Sequence, residues 1–351
     1  MLWTLHEMFP TAPIYTAMWN RQLVSRFASC DVRTSWMQHL PGIKRAPRAY
    51  AGLYPLAFRS MKLRGYDLVI SLTTSFAKGV QADGAFHVCY CNSPSNFVWR
   101  PEAYFGSGRL RFLSAPLRAW LQARDRSAAL QPDLWITSGQ AVADRIRRVY
   151  GKDAAIVPPG IDARWFVDHQ GDEFYLVAGR LVSHKRIALA IEACRQAAVP
   201  LWISGDGRAA PSLRRLARPN VRFTGRVSDQ QLRDLYSRAR AVLIPAEEDF
   251  GLVPLEAQAA GTPVIAYDAG GVGETVIQGE TGLRFRPQSA AALADAIREN
   301  EGKTWDRDRI KANAARFTES RFRSELMSVI ERQCSPADHS LAIAERERHA
   351  V

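Results

Sequence analysis

The sequence predicts an α/β protein with two doubly wound domains, and three observations support this. Short apolar runs alternate with helix-like patterns along most of the 351 residues. These runs are almost continuously apolar, which is typical of parallel strands buried on both faces of a sheet. The length corresponds to two domains at roughly 150 residues each, and each would be large enough to form its own core.

The alternation is most regular from about residue 154 onward. The strand-like runs are AAIVPP, FYLVAG, PLWISG, NVRFTG, AVLIPA, TPVIAY and TGLRF. The helix-like patterns between them are RIALAIEACRQA, PSLRRLA, DQQLRDLYSRA, PLEAQAAG and SAAALADAIREN. Ser228 and Gln231 have the spacing of a capping box, which predicts that a helix begins there.

Residues 1–150 repeat the alternation more loosely, in the runs PIYTAMW, DVRTSW, YDLVISL, AFHVCYCN and DLWITS. The chain opens on a helical pattern, LWTLHEMF, whereas a doubly wound domain normally opens with a strand and a glycine-rich turn. We therefore expect that the first strand is missing and that the chain starts late. The two halves meet near Pro158-Pro159-Gly160. The expected divisions are domains 1–160 and 161–317, a helix over 318–335 and a polar tail over 336–351.

Composition excludes several classes of protein. The chain is 47% apolar and 23% charged, which describes a folded globular protein rather than a disordered one. No apolar run approaches the roughly 20 residues of a membrane helix, and Glu7 and Pro10 interrupt the stretch that a signal peptide would need. The five cysteines are odd in number and form no zinc-binding pattern, so we expect reduced thiols in a cytoplasmic protein. Cys89 and Cys91 are expected to be core residues.

Positive charge is concentrated in the first half of the chain. Residues 1–150 hold 19 basic and 8 acidic residues, a net charge of +11, and the remainder holds +1. This asymmetry predicts an anionic partner, either nucleic acid or acidic phospholipid. Nucleic acid is disfavoured because no recognition motif accompanies the charge. Residues 109–126 mix five arginines with Phe112 and Trp120, which predicts contact with an anionic membrane surface. The alternative is a core-facing helix with a solvated basic face.

The run FYLVAG leads into a group of residues suited to binding anions. Gly179 permits a tight exit from the strand, and a helix follows a few residues later. Arg180 offers a planar fork to phosphate oxygens and Lys185 a point charge, and a helix N-terminus also favours anions. The alternative is that both are solvated surface cations.

A second group follows the run AVLIPA. Glu248 and Glu256 stand eight residues apart, the first in a loop and the second in the first turn of a helix. Gly251 lets backbone approach a ligand closely, and its amide and that of Leu252 could bind phosphate. Carboxylates at this spacing suit a polyhydroxylated ligand better than a metal, which needs denser ligation. Alternatively, Glu256 only complements the positive end of its helix.

Taken together, these motifs resemble the retaining glycosyltransferases of family 4, which have the GT-B fold. The resemblance rests on Gly179-Arg180…Lys185 and Glu248-x7-Glu256, with Pro158-Pro159-Gly160-Ile161-Asp162 before them and Gly270-Gly271-Val272-Gly273-Glu274 after them. In the first half, HEMFPTAPIYT, SFAKGV and YCNSPSNFVWRPE are similar to the mannosyltransferase-like branch that builds lipopolysaccharide and exopolysaccharide.

The resemblance implies two Rossmann-like domains facing a cleft, with the acceptor on the first and the nucleotide-sugar donor on the second. Arg180 and Lys185 would hold the donor diphosphate without a metal ion or other cofactor. Glu256 would bind the ribose and Glu248 the sugar hydroxyls. The final helix, near residues 318–334, would cross back to the first domain. The implied donor site comprises Gly179, Arg180, Lys185, Arg226, Val227, Glu248, Phe250, Gly251, Leu252, Val253 and Glu256.

Asn92 is the fourth implied catalytic residue, beside Arg180, Lys185 and Glu248. Related sequences commonly carry His in an H-x-P motif, where this chain has Asn92-Ser93-Pro94. Asn can hydrogen-bond a sugar or phosphate but cannot carry a proton near neutral pH.

The implied reaction is retaining transfer of a hexose, mannose from GDP-mannose, to a saccharide or lipid-linked saccharide, by a cytoplasmic enzyme that associates peripherally with the membrane. One alternative is a truncated relative that binds a nucleotide or a partner without turnover. An epimerase or hydrolase would need a cluster of acid/base residues that the sequence lacks.

Overall fold

A computed structural model describes residues 1–22, 24–100 and 115–334. The chain divides into two compact units. Unit 1 comprises Met1–Ser138, Val142–Val157 and the described residues from Arg323 onward, and unit 2 comprises Gly139–Ala141 and Pro158–Phe322. The expected polar tail over 336–351, and residues 109–114 of the basic segment, lie outside the described residues. No helix in the described ranges has both the length and the apolar character needed to cross a bilayer.

Unit 1 contains two separate parallel sheets. Its first sheet pairs β1 (Ile14–Thr16) with β2 (Val32–Thr34). Its second has the order β3-β4-β5-β6, with β3 in register with β4 from Leu68–Phe86 to Thr73–Cys91. The strands of the second sheet are β3 (Leu68–Thr73), β4 (Phe86–Cys91), β5 (Leu134–Thr137) and β6 (Ala155–Ile156).

The helices in the first half of the chain are mostly short. The first element in the described part is a helix, as the opening of the sequence predicts. Residues Ser25–Phe27, Trp36–His39, Pro47–Leu53 and Ala77–Gly79 form 3₁₀ turns. The α-helices are α1 (Leu2–Met8), α2 (Tyr54–Arg59), α3 (Asn96–Trp99), α4 (Ala115–Ala128) and α5 (Gln140–Tyr150).

Unit 2 is built around one six-stranded parallel sheet, which confirms the doubly wound prediction for this half. Its order is β12-β11-β10-β7-β8-β9. The strands are β7 (Phe174–Ala178), β8 (Leu201–Ser204), β9 (Val221–Gly225), β10 (Ala239–Ile244), β11 (Val264–Tyr267) and β12 (Gly282–Phe285). The helices are α6 (Ile187–Gln196), α7 (Ala210–Leu216), α8 (Asp229–Arg238), α9 (Leu252–Ala259), α10 (Val272–Thr275), α11 (Ala290–Glu301), α12 (Arg307–Ala315) and α13 (Glu319–Gln333), whose second part belongs to unit 1.

Both faces of this sheet are buried, because successive side chains of a strand point to opposite sides. In β7, Tyr175 belongs to one apolar core and Phe174 and Leu176 to the other. This is why the sequence of β7 is apolar without interruption. The predicted capping box is also confirmed at the start of α8: the Ser228 hydroxyl accepts from the Gln231 amide, and the Gln231 side chain accepts from the Ser228 amide.

The prediction that Cys89 and Cys91 are core residues agrees with the structure. All five cysteines have free thiols, and Cys89 and Cys91 are fully buried in a core cluster with Trp135 and Ile146. The run AAIVPP, which opens the regular alternation in the sequence, forms only the two-residue strand β6. Its two prolines, Pro158 and Pro159, lack the amide donors that a longer ladder would require, and the boundary between the units falls directly before them.

Candidate functional site

The strand order of unit 2 defines one place where a ligand pocket is expected. β7 and β10 lie side by side at the centre of the sheet, and the chain winds outward in opposite directions from them. At such a reversal the connections that follow the two strands separate and leave a crevice at their carboxyl ends. The two groups of residues predicted from the sequence follow these two strands. We call this place the switch-point site; it comprises the loops after β7 and β10.

The loop after β7 is shaped by close backbone contacts. Gly179 has a φ of +133°, which favours glycine. A side chain at Gly205 would place its Cβ 1.9 Å from the Gly179 carbonyl oxygen, so the loops after β7 and β8 touch through backbone alone. Arg180 is exposed, and the described residues offer its side chain no hydrogen bond or ion pair. Lys185 ends a 3₁₀ turn two residues before α6 begins.

Contacts with the loop before α10 fix the loop after β10. The Gly271 amide donates to the Glu248 carbonyl oxygen at 2.8 Å. A side chain at Gly270 would place its Cβ 2.1 Å from that same oxygen, so only glycine permits this approach. Gly251, with a φ of +88°, directly precedes α9. The loop therefore presents its carboxylate and the start of a helix together.

The two predicted groups meet through a direct ion pair. Lys185 Nζ lies 2.5 Å from Glu248 Oε1, and their side chains are 31% and 18% exposed. Sixty-three residues separate them in the sequence. The contact brings a cation from the loop after β7 to a carboxylate from the loop after β10, at the point where the strand order reverses. Both groups retain enough exposure to reach a ligand.

Glu256 occupies a different electrostatic environment from Glu248. It lies on α9 and accepts a hydrogen bond from the hydroxyl of fully buried Tyr236 at 3.0 Å. Desolvation raises the pKa of Glu256 to about 7; the Tyr236 hydrogen bond opposes this shift, and the charge of Asp229 adds to it. A carboxyl group with such a pKa changes its charge near neutral pH, which is frequent at binding sites.

The other predicted donor residues lie in varied surroundings. Arg226 is exposed directly after β9, and half-buried Val227 packs against the apolar core. Phe250 is 5% exposed and its ring packs edge-on against Phe317, so the residue can offer a ligand little beyond its backbone. Leu252 is exposed and Val253 half-buried at the start of α9.

Asn92 belongs to unit 1. It is half-buried and directly follows β4, and its amide donates to the Thr73 carbonyl oxygen at 2.9 Å. It therefore also stands at the carboxyl end of a parallel strand, which is the edge where polar side chains of doubly wound sheets meet their ligands.

Sequence reasoning missed three contributors to the switch-point site. It gave no role to Gly205-Asp206-Gly207, but Gly205 and Gly207 pack against the loop after β7. It used Gly270 and Gly271 to support a resemblance without giving them a role. Tyr236 gave no signal, because only the fold brings its hydroxyl to Glu256. In the described ranges, no group of three or more His, Cys, Asp or Glu residues is placed to hold a metal ion.

Unit 2 is similar in sequence to known proteins. Residues 163–317 match the family model described as Glycosyl transferases group 1. The chain is 34% identical over 206 residues to the glycogen synthase of Mycobacterium tuberculosis, a match that covers 53% of this chain and 50% of that protein. It is 41% identical over 103 residues to the D-inositol 3-phosphate glycosyltransferase of Streptomyces avermitilis, covering 27% and 22%. The chain thus spans half or less of the length of these curated relatives.

Solved structures extend the similarity of the fold to both units. Anabaena Alr3699/HepE, solved in complex with UDP and glucose, aligns with a TM-score of 0.69 at 18% identity over 94% of each chain. The sucrose-phosphate synthase of Thermosynechococcus elongatus aligns with a TM-score of 0.62 at 20% identity, covering 87% of this chain and 84% of that one. The fold is therefore that of the GT-B glycosyltransferases, with two Rossmann-like domains of parallel strands, as predicted.

Proposed function

We propose that this protein is a glycosyltransferase whose unit 2 binds a nucleotide-sugar donor in the switch-point site. The observation that carries the proposal is the pairing of Lys185 with Glu248 across the reversal of strand order. Doubly wound sheets bind their ligands at this place. The match of residues 163–317 to the group 1 glycosyltransferase family supports the same assignment.

The cations of the site suit a leaving diphosphate. Arg180 is exposed and unpaired within the described part of the chain, so its planar fork is available for two phosphate oxygens. Lys185 is held by Glu248 and can share its three N–H donors with a phosphate. Cations fixed in place before the reaction stabilise the negative charge that develops when the sugar leaves. We propose that this arrangement acts without a metal ion or other cofactor.

The two carboxylates are proposed to recognise different parts of the donor. Glu248 lies in the loop beside Lys185 and would accept hydrogen bonds from the sugar hydroxyls. Glu256, further along α9, would accept them from the ribose, for which it has oxygen lone pairs to spare beside the single Tyr236 hydrogen bond. Arg226 and Val227, after β9, would lie near the base.

We further propose retaining transfer of a hexose, mannose from GDP-mannose, to a saccharide or lipid-linked saccharide held by unit 1, with Asn92 contributing there. The protein would work in the cytoplasm and associate peripherally with the membrane through residues 109–126. Anabaena Alr3699/HepE was solved with UDP and glucose, so UDP-glucose is the competing donor to be tested against GDP-mannose.

A second candidate function is nucleotide binding without turnover. The observation that favours it is the division of unit 1 into two separate sheets, because a divided sheet offers an acceptor no single continuous strand edge at which to bind. Both candidates predict donor binding, and only the first predicts sugar transfer.

The test measures binding of a panel of nucleotide sugars, including GDP-mannose and UDP-glucose, with and without EDTA. Arg180→Ala and Lys185→Ala should each lose about 1.5–3 kcal/mol, roughly 10- to 150-fold in affinity, because each removes a charged hydrogen-bond partner of the diphosphate. Arg215→Ala, which removes an exposed arginine of α7, is the matched control. Unchanged affinity in both site variants, or binding that requires added manganese, would contradict the proposal.

A further inference from the structure

Unit 1 contains a small polar cavity that the proposed function does not use. It has a volume of about 80 Å³ and lies where α2, the 3₁₀ turn Ala77–Gly79 and α4 come together. A water molecule needs about 10–15 Å³ of such space, so the cavity can hold a group of a few heavy atoms. None of the described residues that line it belongs to a strand. The cavity, which we call the arginine cavity, is therefore separate from the strand end at which Asn92 stands.

Two arginines line the arginine cavity from different helices. Arg59 is the last residue of α2, and Arg124 lies near the end of α4. Both are exposed, and the described residues offer neither side chain a hydrogen bond or an ion pair. Ser127 and Gln81 add a hydroxyl and an amide to the lining, and both groups can donate hydrogen bonds. No acidic residue is among the described residues that line the cavity. The lining therefore favours an anion.

The helix ends beside the cavity do not need these arginines. Basic side chains near a helix C-terminus commonly satisfy its last carbonyl groups. In α4 the Ser127 carbonyl oxygen already accepts from the Leu130 amide at 3.3 Å. The Ala128 carbonyl oxygen accepts from the Gln131 amide at 3.2 Å. The Ser60 amide closes the last turn of α2 in a similar way. Both guanidinium groups therefore remain available to an external anion.

A buried ion pair fixes two walls of the cavity in place. Lys78 Nζ lies 2.5 Å from Asp125 Oδ1, and the two side chains are 1% and 0% exposed. The pair ties the 3₁₀ turn to α4 where the two elements are in close contact, since a Cβ added at Gly79 would lie 2.9 Å from the Ala128 Cβ. Because the pair carries no net charge, Asp125 does not make the cavity unfavourable for an anion. Walls that are fixed before a ligand binds reduce the entropy lost on binding.

We propose that the arginine cavity binds a dianionic phosphomonoester group. Two guanidinium groups supply two positive charges, and their planar forks match the geometry of phosphate oxygens. A phosphomonoester carries a charge of about −1.5 to −2 at pH 7 and three acceptor oxygens. A phosphodiester or a carboxylate has a single charge and two such oxygens, so it would use the lining less fully. The proposal concerns one discrete site and does not depend on sugar transfer.

A phosphomonoester can belong to a soluble phosphate ester or to the headgroup of phosphatidic acid. The first measurement tests the soluble source, with the full-length chain and glycerol 3-phosphate in isothermal titration calorimetry at constant ionic strength. It is made at about pH 7.5, above the second pKa of about 6 of such groups. Binding should slow amide hydrogen exchange in α2 and in the last turn of α4.

Variants locate the binding. Arg59→Gln and Arg124→Gln should each weaken it roughly tenfold or more, because each removes a charged hydrogen-bond partner. The matched control is Arg126→Gln, which removes an exposed arginine of α4 that lies over the Trp99 ring and does not line the cavity. Binding of a nucleoside diphosphate should respond to Arg180→Ala and not to Arg59→Gln. Failure of donor binding in unit 2 would leave the result for the arginine cavity unaffected, so the two proposals can fail separately.

The second measurement tests the lipid source by flotation with vesicles. Phosphatidylcholine vesicles contain either phosphatidic acid or phosphatidylserine, at the same total charge. A preference for phosphatidic acid that is lost in Arg59→Gln and Arg124→Gln, and kept in Arg126→Gln, would assign the site to the lipid headgroup. Binding of glycerol 3-phosphate with the same pattern of variants, without this preference, would assign it to a soluble ester. Equal losses in all three variants would overturn the proposal in favour of diffuse attraction by positive charge. Absence of both glycerol 3-phosphate binding and a preference for phosphatidic acid would also overturn it.

Discussion

The two units each bury a carboxyl group, and the surroundings of these groups differ. Asp125 of α4, in unit 1, accepts from Lys78 Nζ at 2.5 Å, Trp99 Nε1 at 2.7 Å and the Tyr150 hydroxyl at 2.6 Å. Glu256, in unit 2, accepts from Tyr236 alone among the described residues. A fully satisfied buried network stabilises a fold, while a carboxyl group with spare acceptors remains available to a ligand. The comparison indicates that Asp125 stabilises the fold, and the spare acceptors of Glu256 are consistent with the ribose-binding role proposed for it above.

The largest expected effect is on stability and concerns Asp125, the buried carboxyl group that accepts from three donors. Asp125→Ala should lower the free energy of unfolding by about 3–5 kcal/mol, because it leaves the Lys78 ammonium buried without its counter-charge. The Lys78 side chain is only 1% exposed. Urea unfolding measures this loss. Asp83→Ala is the control, since it removes the partner of exposed Arg64 and should cost no more than about 1 kcal/mol. Equal losses in the two variants would remove the distinction between a buried and a surface pair.

Glu256→Gln should raise the free energy of unfolding, whereas Asp125→Ala lowers it, and the size of the increase should depend on pH. The pKa of Glu256 is raised to about 7, chiefly by desolvation. The stability of the fold with respect to this group is therefore fully present below about pH 4.5, where the carboxyl group is protonated in both the folded and the unfolded chain. It is lost as the pH rises through about 7, where the folded chain must bury the charged form. Gln resembles the protonated acid and stays neutral, so the variant should be more stable than the unmodified protein by on the order of 2 kcal/mol at pH 9 and about equally stable at pH 4.

Unfolding midpoints at the two pH values test this expectation. The matched control is Glu173→Gln, which removes an exposed carboxylate paired with Arg238; Arg238 lowers the pKa of Glu173. This variant should gain no stability at high pH. A Glu256→Gln difference that does not change with pH would show that the carboxyl group is not desolvated, and the contrast with Asp125 would then fail.

Unit 2 shows which features of the fold and site the sequence predicts and which it does not. The strands of unit 2 follow from their apolar runs, and the helix start at Ser228 follows from local spacing, because both patterns are contained within one element. The pairing of Lys185 with Glu248 depends on two strands becoming neighbours, so spacing alone cannot give it. The contact of Tyr236 with Glu256, and the close packing of the glycine loops after β8 and before α10, likewise depend on tertiary structure.

The first half of the chain was harder to predict for a physical reason. β1 and β2 have three residues each and half-exposed positions, so neither has a clear alternation or a continuous apolar run. Burial of all six residues of β4, by contrast, gives the strong pattern of Phe86–Cys91.

A smaller effect is expected when Glu256 loses the hydrogen bond that it accepts from Tyr236. Tyr236→Phe keeps the ring and removes the hydroxyl, so the pKa of Glu256 should rise further. Under the proposed function, nucleoside diphosphate binding at pH 7 should weaken roughly 3- to 10-fold, and the pH profile of binding should shift upward. Tyr175→Phe, which removes a buried hydroxyl bonded to Glu301, is the control and should leave the pH profile unchanged. Parallel shifts in both variants would indicate a general structural effect.

The smallest effect per residue concerns the difference in charge between the two halves of the chain. Residues 1–150 carry +11 and the remainder carries +1, so only the first half should be attracted to an anionic bilayer. In the described part of the basic segment, Arg124 and Leu117 are exposed on α4, and the Arg124 guanidinium lies 5.5 Å from the centroid of the Trp120 ring. Arginines beside exposed apolar and aromatic side chains suit the interface of a membrane.

Each arginine near such a surface contributes about 1 kcal/mol, so Arg124→Gln should weaken liposome binding roughly fivefold. Arg215→Gln, at an exposed position on α7 of unit 2, should have no effect. Co-sedimentation with and without anionic lipid, at low and high salt, measures both. Binding should need anionic lipid and be lost at high salt, because attraction is screened beyond about 8 Å at physiological ionic strength. Binding that persists at high salt would indicate apolar insertion instead, and equal effects of the two substitutions would show that charge is not concentrated where the lipid binds.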